Sequence, residues 1–206
     1  MTGPIDGHSF QEAFRYRGCP ICYQMDKDEY DFMCRFQGQT LKEEEVRRDL
    51  ISSRGYCNFH FHEMARLTSP VVNSVVARDL IEREIQEIEK GSFPPGESPR
   101  CPVCRYMAGR EEAYLREFAA FLGEDRLKPE YERSDGLCGV HLNKILLLPR
   151  GSDLCPLLLM TQVKHLKSLK AELEAFLEQD RSKGKIRGKN AWSVAIQKLV
   201  GKRGLG

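Results

Sequence analysis

The chain has 206 residues, a formal net charge of +2, 41 % hydrophobic and 30 % charged residues. That balance excludes a disordered chain and a bundle of spanning helices, and it suits one medium or two small globular domains. The charge is unevenly placed: eight Lys or Arg and no acid follow Asp180, which leaves about −6 on the first 180 residues.

Met1 to Phe10 has neither a basic start nor an apolar stretch, so no targeting segment is expected and a cytoplasmic location is the default. In that reducing compartment, paired cysteines point to metal or redox chemistry before structural disulfides. The longest apolar runs, such as 145–148 and 157–160, are far too short to cross a bilayer, so no membrane partner is expected.

The first helix is predicted over 20–36. Pro20 fits its first position, and Ile21, Met25, Phe32, Met33 and Phe36 form its apolar face. A shorter helix, rich in Glu and Arg, is expected near 41–53, and Gly55 reads as a stop. Cys57-Asn58-Phe59-His60 follows, with the two end residues on one side of a helical turn. A longer helix is predicted near 71–90, with Val72, Val76, Leu80 and Ile85 toward the core. Gly91 to Gly96 reads as a linker.

The same order then returns. A helix is predicted over 102–122, starting at Pro102 and carrying Val103, Met107, Tyr114, Leu115 and Phe118 on one face. A weak helix near 128–134 leads to Gly136, then Cys138-Gly139-Val140-His141, then a long helix near 153–179. Its expected core residues are Leu158, Val163, Leu166, Leu169, Leu173 and Phe176. A last short helix, capped by Asn190, presents Trp192, Ile196 and Leu199 as an apolar face, with Trp192 as a packing anchor. No period-2 alternation stands out. The expected fold is therefore all-α, two tandem pseudo-repeats plus a short basic C-terminal helix, divided as 1–90, linker 91–100, 101–180 and tail 181–206.

The repeat is sharpest in its cysteines. Cys19-Pro20-Ile21-Cys22 precedes Cys57-x-x-His60 by 34 residues; Cys101-Pro102-Val103-Cys104 precedes Cys138-x-x-His141 by 33. Six of eight cysteines and two of five histidines thus fall into two Cys3His quartets, a donor set for tetrahedral zinc. The equal spacings favour two self-contained sites: Cys19, Cys22, Cys57 and His60 for one ion, and Cys101, Cys104, Cys138 and His141 for the other. Exchange of ligands between repeats, with Cys19 and Cys22 joining Cys138 and His141, is the alternative. Three thiolates leave a zinc site near −1, and Arg17, Arg54, Arg100, Arg105 and Arg133 stand close in sequence to offset it.

An iron–sulfur cluster is the rival cofactor, although the compact cysteine runs of ferredoxins are absent. Thiol–disulfide exchange is another, since CPxC resembles a glutaredoxin tetrad, but no βαβ unit accompanies it. His62 and Glu63 superficially suggest a hydrolase. Position 66 is Arg, however, and a Cys3His set leaves no open coordination position, so catalysis is not expected. Cys34 and Cys155 read as small buried apolar residues, and His8 and His165 as surface residues. The basic tail suits either solubility or a polyanion such as nucleic acid.

The ligand pattern resembles a treble-clef zinc site, from which the long helix between the pairs departs. The repeated order of Cys-Pro-x-Cys, amphipathic helix, Gly-x-Cys-x-x-His and long helix resembles uncharacterised bacterial proteins grouped under a domain of unknown function, over about 19–180. That resemblance implies no activity. The sequence leads to a non-catalytic interaction or adaptor module with two structural zinc ions and a protein partner.

Overall fold

A computed structural model describes residues 7–92, 101–123, 128–149, 151–183 and 191–201. The described chain forms α1 (Gly7–Arg15), α2 (Pro20–Lys42), α3 (Glu44–Ser52), α4 (Asn58–Leu67), α5 (Pro70–Glu89), α6 (Pro102–Gly123), α7 (Lys128–Arg133), α8 (Gly139–Leu146), α9 (Gly151–Lys183) and α10 (Ala191–Val200). No strand occurs among the described residues, so the fold is all-α. The linker residues 93–100, the Asn190 cap, and the side chains of His8 and of 179–190 lie outside the described set.

Two compact units form: 1–25 with 111–206, and 26–110. Each therefore takes residues from both sequence repeats, and the divisions fall inside α2 and α6.

The unit of 1–25 and 111–206 has an aromatic core. Phe10 and Phe14 of α1 meet Phe118 of α6 edge-on at 5.5 and 6.1 Å, and Phe118 meets Tyr131 of α7 at 5.5 Å. Helix α1 has no counterpart among the predicted helices. Its nine residues hold only Phe10, Ala13 and Phe14 as an i, i+3, i+4 apolar set, and burial of that set fixes it. Leu158 and Leu169 of α9 are buried as expected, whereas Val163 and Leu166 are exposed.

In the 26–110 unit, Met33, Leu50, Met64, Val72 and Val76 are buried. Leu80 is half-buried and Ile85 exposed, because the core covers only the first half of α5. The C-terminal half is tied by charge instead: Arg83 and Arg54 both hold Glu87, at 2.8 and 2.9 Å. Here α2 and α6 run antiparallel, with Phe32 stacked on Tyr106 at 4.2 Å and Arg110 paired with Asp28.

Two further expectations change. Cys34 and Cys155 are only half-buried. Helix α10 turns Ala191, Val194 and Lys198 inward and leaves Trp192, Ile196 and Leu199 exposed, so Trp192 is not a packing anchor.

Candidate metal centres

All eight predicted ligands gather into two quartets, but across the repeats. Cys19, Cys22, Cys138 and His141 form site one; Cys57, His60, Cys101 and Cys104 form site two. The expectation of one self-contained site per repeat is thereby corrected, and ligand exchange is what the chain adopts. Helix length is the physical reason. At 1.5 Å per residue, the 23 residues of α2 carry the chain about 34 Å past CPxC. The nine residues of α3 could return only about 14 Å even if they ran straight back. The connection to Cys57 is spent in a tight turn, with Gly55 N–H donating to the Leu50 carbonyl at 2.9 Å. Equal spacing is therefore a signature of matching helices, not of closure.

Each motif uses the same local device. Cys19 and Cys101 precede Pro20 and Pro102 at the starts of α2 and α6, and their carbonyls accept from Tyr23 and Arg105 N–H at 3.0 Å. Cys57 and Cys138 are the N-caps of α4 and α8. The second ligand of each motif is three residues on, at N3. N-cap and N3 are the two positions a capping box uses, and at α8 the Cys138 sulfur also accepts from His141 N–H at 3.5 Å. Two helix N-termini thus flank each quartet, and their partial positive charge favours thiolates.

Gly55 and Gly136 set up the two CxxH turns. Their φ values are +81° and +68°, which glycine adopts without a Cβ penalty. A Cβ would also stand 2.8 Å from Leu80 Cδ1 at Gly55, and 2.7 Å from His165 Cδ2 at Gly136. His165, expected at the surface, is half-buried against this turn.

The distances fit one ion per quartet. Cys22 and Cys138 Sγ are 3.8 Å apart, and Cys57 and Cys104 Sγ 3.7 Å. Each imidazole turns Nδ1 to the sulfurs: His141 at 3.3, 3.4 and 3.3 Å from Cys19, Cys22 and Cys138, and His60 at 3.1, 3.5 and 3.3 Å from Cys57, Cys101 and Cys104. A zinc tetrahedron with ~2.3 Å bonds to sulfur and ~2.0 Å to nitrogen separates sulfurs by about 3.8 Å and sulfur from nitrogen by about 3.5 Å. A disulfide requires ~2.05 Å, and all eight cysteines are free thiols.

Two carboxylates stand behind the histidines. Glu29 Oε1 is 2.7 Å from His60 Nε2. Glu111 Oε1 is 3.2 Å from His141 Nε2, off the line of a hydrogen bond, and accepts from Lys144 Nζ at 2.6 Å. A proton held on Nε2 leaves the Nδ1 lone pair for the metal. Neither residue belongs to the predicted ligand motifs. The available signal was register: Glu29 and Glu111 each lie ten residues after the first cysteine of their repeat.

Without a metal ion, each quartet holds its charge internally. Burial pushes the His60 and His141 imidazoliums down, but the neighbouring cysteines and glutamate outweigh it, raising them to about 10 and 11. Burial pushes the Cys101 thiol up, and His60 overcomes it to hold Cys101 at about 7. Cys104 is pushed up to about 12 by desolvation and by Cys101. In site one, burial opposes ionisation of Cys19, yet hydrogen bonds with Cys138, Cys22 and His141 hold it well below an ordinary thiol, while Cys22 is driven up by Cys138 and Cys19.

Of the arginines expected nearby, Arg100 lies outside the described residues and two are held by carboxylates. Arg17 is engaged with Asp135 and Glu172, and Arg54 with Glu87. At site one the cation is Lys198 of α10, buried and donating to the Asp135 carbonyl. Burial lowers its ammonium to about 8, against the pull of Cys19, Asp135, Cys138 and Cys22. His62 and Glu63 join neither quartet; Glu63 accepts from Arg66 at 3.1 Å.

Residues 8–99 match a family described as a family of unknown function, DUF6062. The match takes in the first CPxC and the first CxxH, hence one half of each metal site. No curated protein and no solved structure matches the chain.

Proposed function

We propose that the protein binds two zinc ions that fix its helices, and that it acts as a non-catalytic interaction module. The observation that carries the metal reading is the pair of closed Cys3His quartets with single-ion spacings. All ligand atoms of a quartet lie within 4.8 Å of one another. That supports one ion over a multi-iron cluster, whose ligands attach to different irons and stand further apart. Soft thiolates with one imidazole favour zinc. Four protein donors fill the tetrahedron, so the metal is structural and offers no position to a substrate.

The interaction role draws on the outward face of α10. Trp192, Ile196, Leu199 and Val200 follow one another around that face and are all more than half exposed. An apolar stripe of this kind marks a contact surface for another protein.

Metal analysis with an absorption spectrum on anaerobically purified protein tests the first part. Two zinc ions per colourless chain are expected; iron with visible absorbance, or a metal-free chain, overturns it. Trp192→Glu with Ile196→Glu tests the second. The double variant is expected to keep both ions and lose a cross-linked partner, and an unchanged cross-link counts against the role.

A further inference from the structure

The two sites share donors, helix positions and carboxylate support, yet they differ in access. In site one all four ligands are buried. In site two His60 and Cys101 are buried, but Cys57 is half-buried and Cys104 is exposed. These two more accessible sulfurs are also neighbours, at 3.7 Å. With an ion bound, every sulfur of the quartet is a thiolate, so exposure decides which cysteines oxidise.

We propose that site two is an oxidation site, at which hydrogen peroxide or a related two-electron oxidant joins Cys104 to Cys57 and expels the ion while site one keeps its own. This rests on the zinc reading of the quartets. The Cys104 thiolate attacks a peroxide oxygen; the O–O bond breaks and hydroxide leaves, giving a sulfenic acid. The Cys57 thiolate then attacks the Cys104 sulfur, the S–S bond forms and a second hydroxide departs. Two thiolates have lost two electrons, one peroxide has gained them, and two protons from solvent complete two waters. Zinc, left with Cys101 and His60, dissociates. The sulfurs close from 3.7 Å to ~2.05 Å. The tie between the starts of α4 and α6 survives as a covalent bond, while His60 loses its metal. A thiol reductant reverses the step and lets zinc return.

Peroxide titration of the full-length, two-zinc protein tests this, with released zinc read by a chromophoric chelator and disulfides mapped by peptide mass. One ion is expected to leave as about one equivalent of peroxide is consumed, with Cys57 linked to Cys104. The second should leave on the order of ten-fold more slowly. Cys22→Ser, which disables site one, should release its remaining ion at the unchanged fast rate. Loss of both ions together, or a link from Cys104 to Cys101 in place of Cys57, overturns the proposal alone. A chain without zinc before oxidant is added overturns the metal reading itself.

Discussion

At the scale of single side chains, Glu29 has the clearest measurable role. Glu29 hydrogen-bonds the outer nitrogen of His60 and so favours the tautomer that presents Nδ1 to a metal, whereas Glu111 stands 3.2 Å from His141 Nε2 without that bond. Outer carboxylates of this kind are worth about 10–100-fold in metal affinity. Glu29→Gln is expected to weaken site two by that order and to leave site one unchanged, read by competition with a zinc chelator. Protons give a second prediction. Metal-free site two carries an imidazolium up to about pH 10 and a Cys104 thiol up to about pH 12. Zinc requires both groups deprotonated, so binding at pH 7 releases protons and affinity rises with pH. Calorimetry in buffers of different ionisation enthalpy should show that release, and acidification should strip the ion; affinity independent of pH would contradict the ligand set.

At the scale of elements, the glycine turns before each CxxH and the docking of α10 separate two kinds of constraint. Gly136→Ala forces a left-handed φ on a residue with a Cβ and drives it into His165. A loss of about 1–2 kcal/mol or more is expected, seen as a lower urea midpoint of the zinc-loaded protein. Gly109→Ala is the counterpart: it sits inside α6 with open space at its Cβ and should stabilise by about 0.5–1 kcal/mol. Lys198 links α10 to site one by charge. Lys198→Met removes the buried ammonium beside three thiolates and should weaken the site-one ion more than the site-two ion. Equal weakening of both would mean that α10 acts only by packing. Since Lys198 points inward, one of the eight basic residues after Asp180 is already committed and unavailable to a polyanion.

At the scale of the whole molecule, an ion held by either quartet would close a long stretch of chain. Site one joins positions 119 apart, from Cys19 to Cys138. In the chain-entropy view, a cross-link over ~100 residues removes about 4–5 kcal/mol of unfolded-state freedom. Paired substitutions test the wiring. Cys22→Ser with Cys138→Ser damages one site and should leave one zinc per chain. Cys22→Ser with Cys57→Ser damages both and should leave none. Ligands closing within repeats would give the opposite pattern.

The residues themselves decided much of this. Cys-Pro-x-Cys and Cys-x-x-His name the donors, Pro20 and Pro102 mark helix starts, and Gly55 and Gly136 mark turns, because these constraints act over four or five residues. Helical periodicity likewise made α2, α5, α6 and α9 legible. What a periodicity cannot carry is partner choice. Which CPxC meets which CxxH depends on where an approximately 34 Å helix delivers the chain, a consequence of its accumulated length and of the turn after it. Ile81, Ile85 and Ile88 of α5 and the outward face of α10 are apolar yet exposed, because burial is settled by what packs alongside. Glu29 and Glu111 share a register in the sequence, but only the tertiary contacts give that register a meaning, by placing them beside His60 and His141. The difference in access between two chemically matched quartets is likewise a property of packing alone.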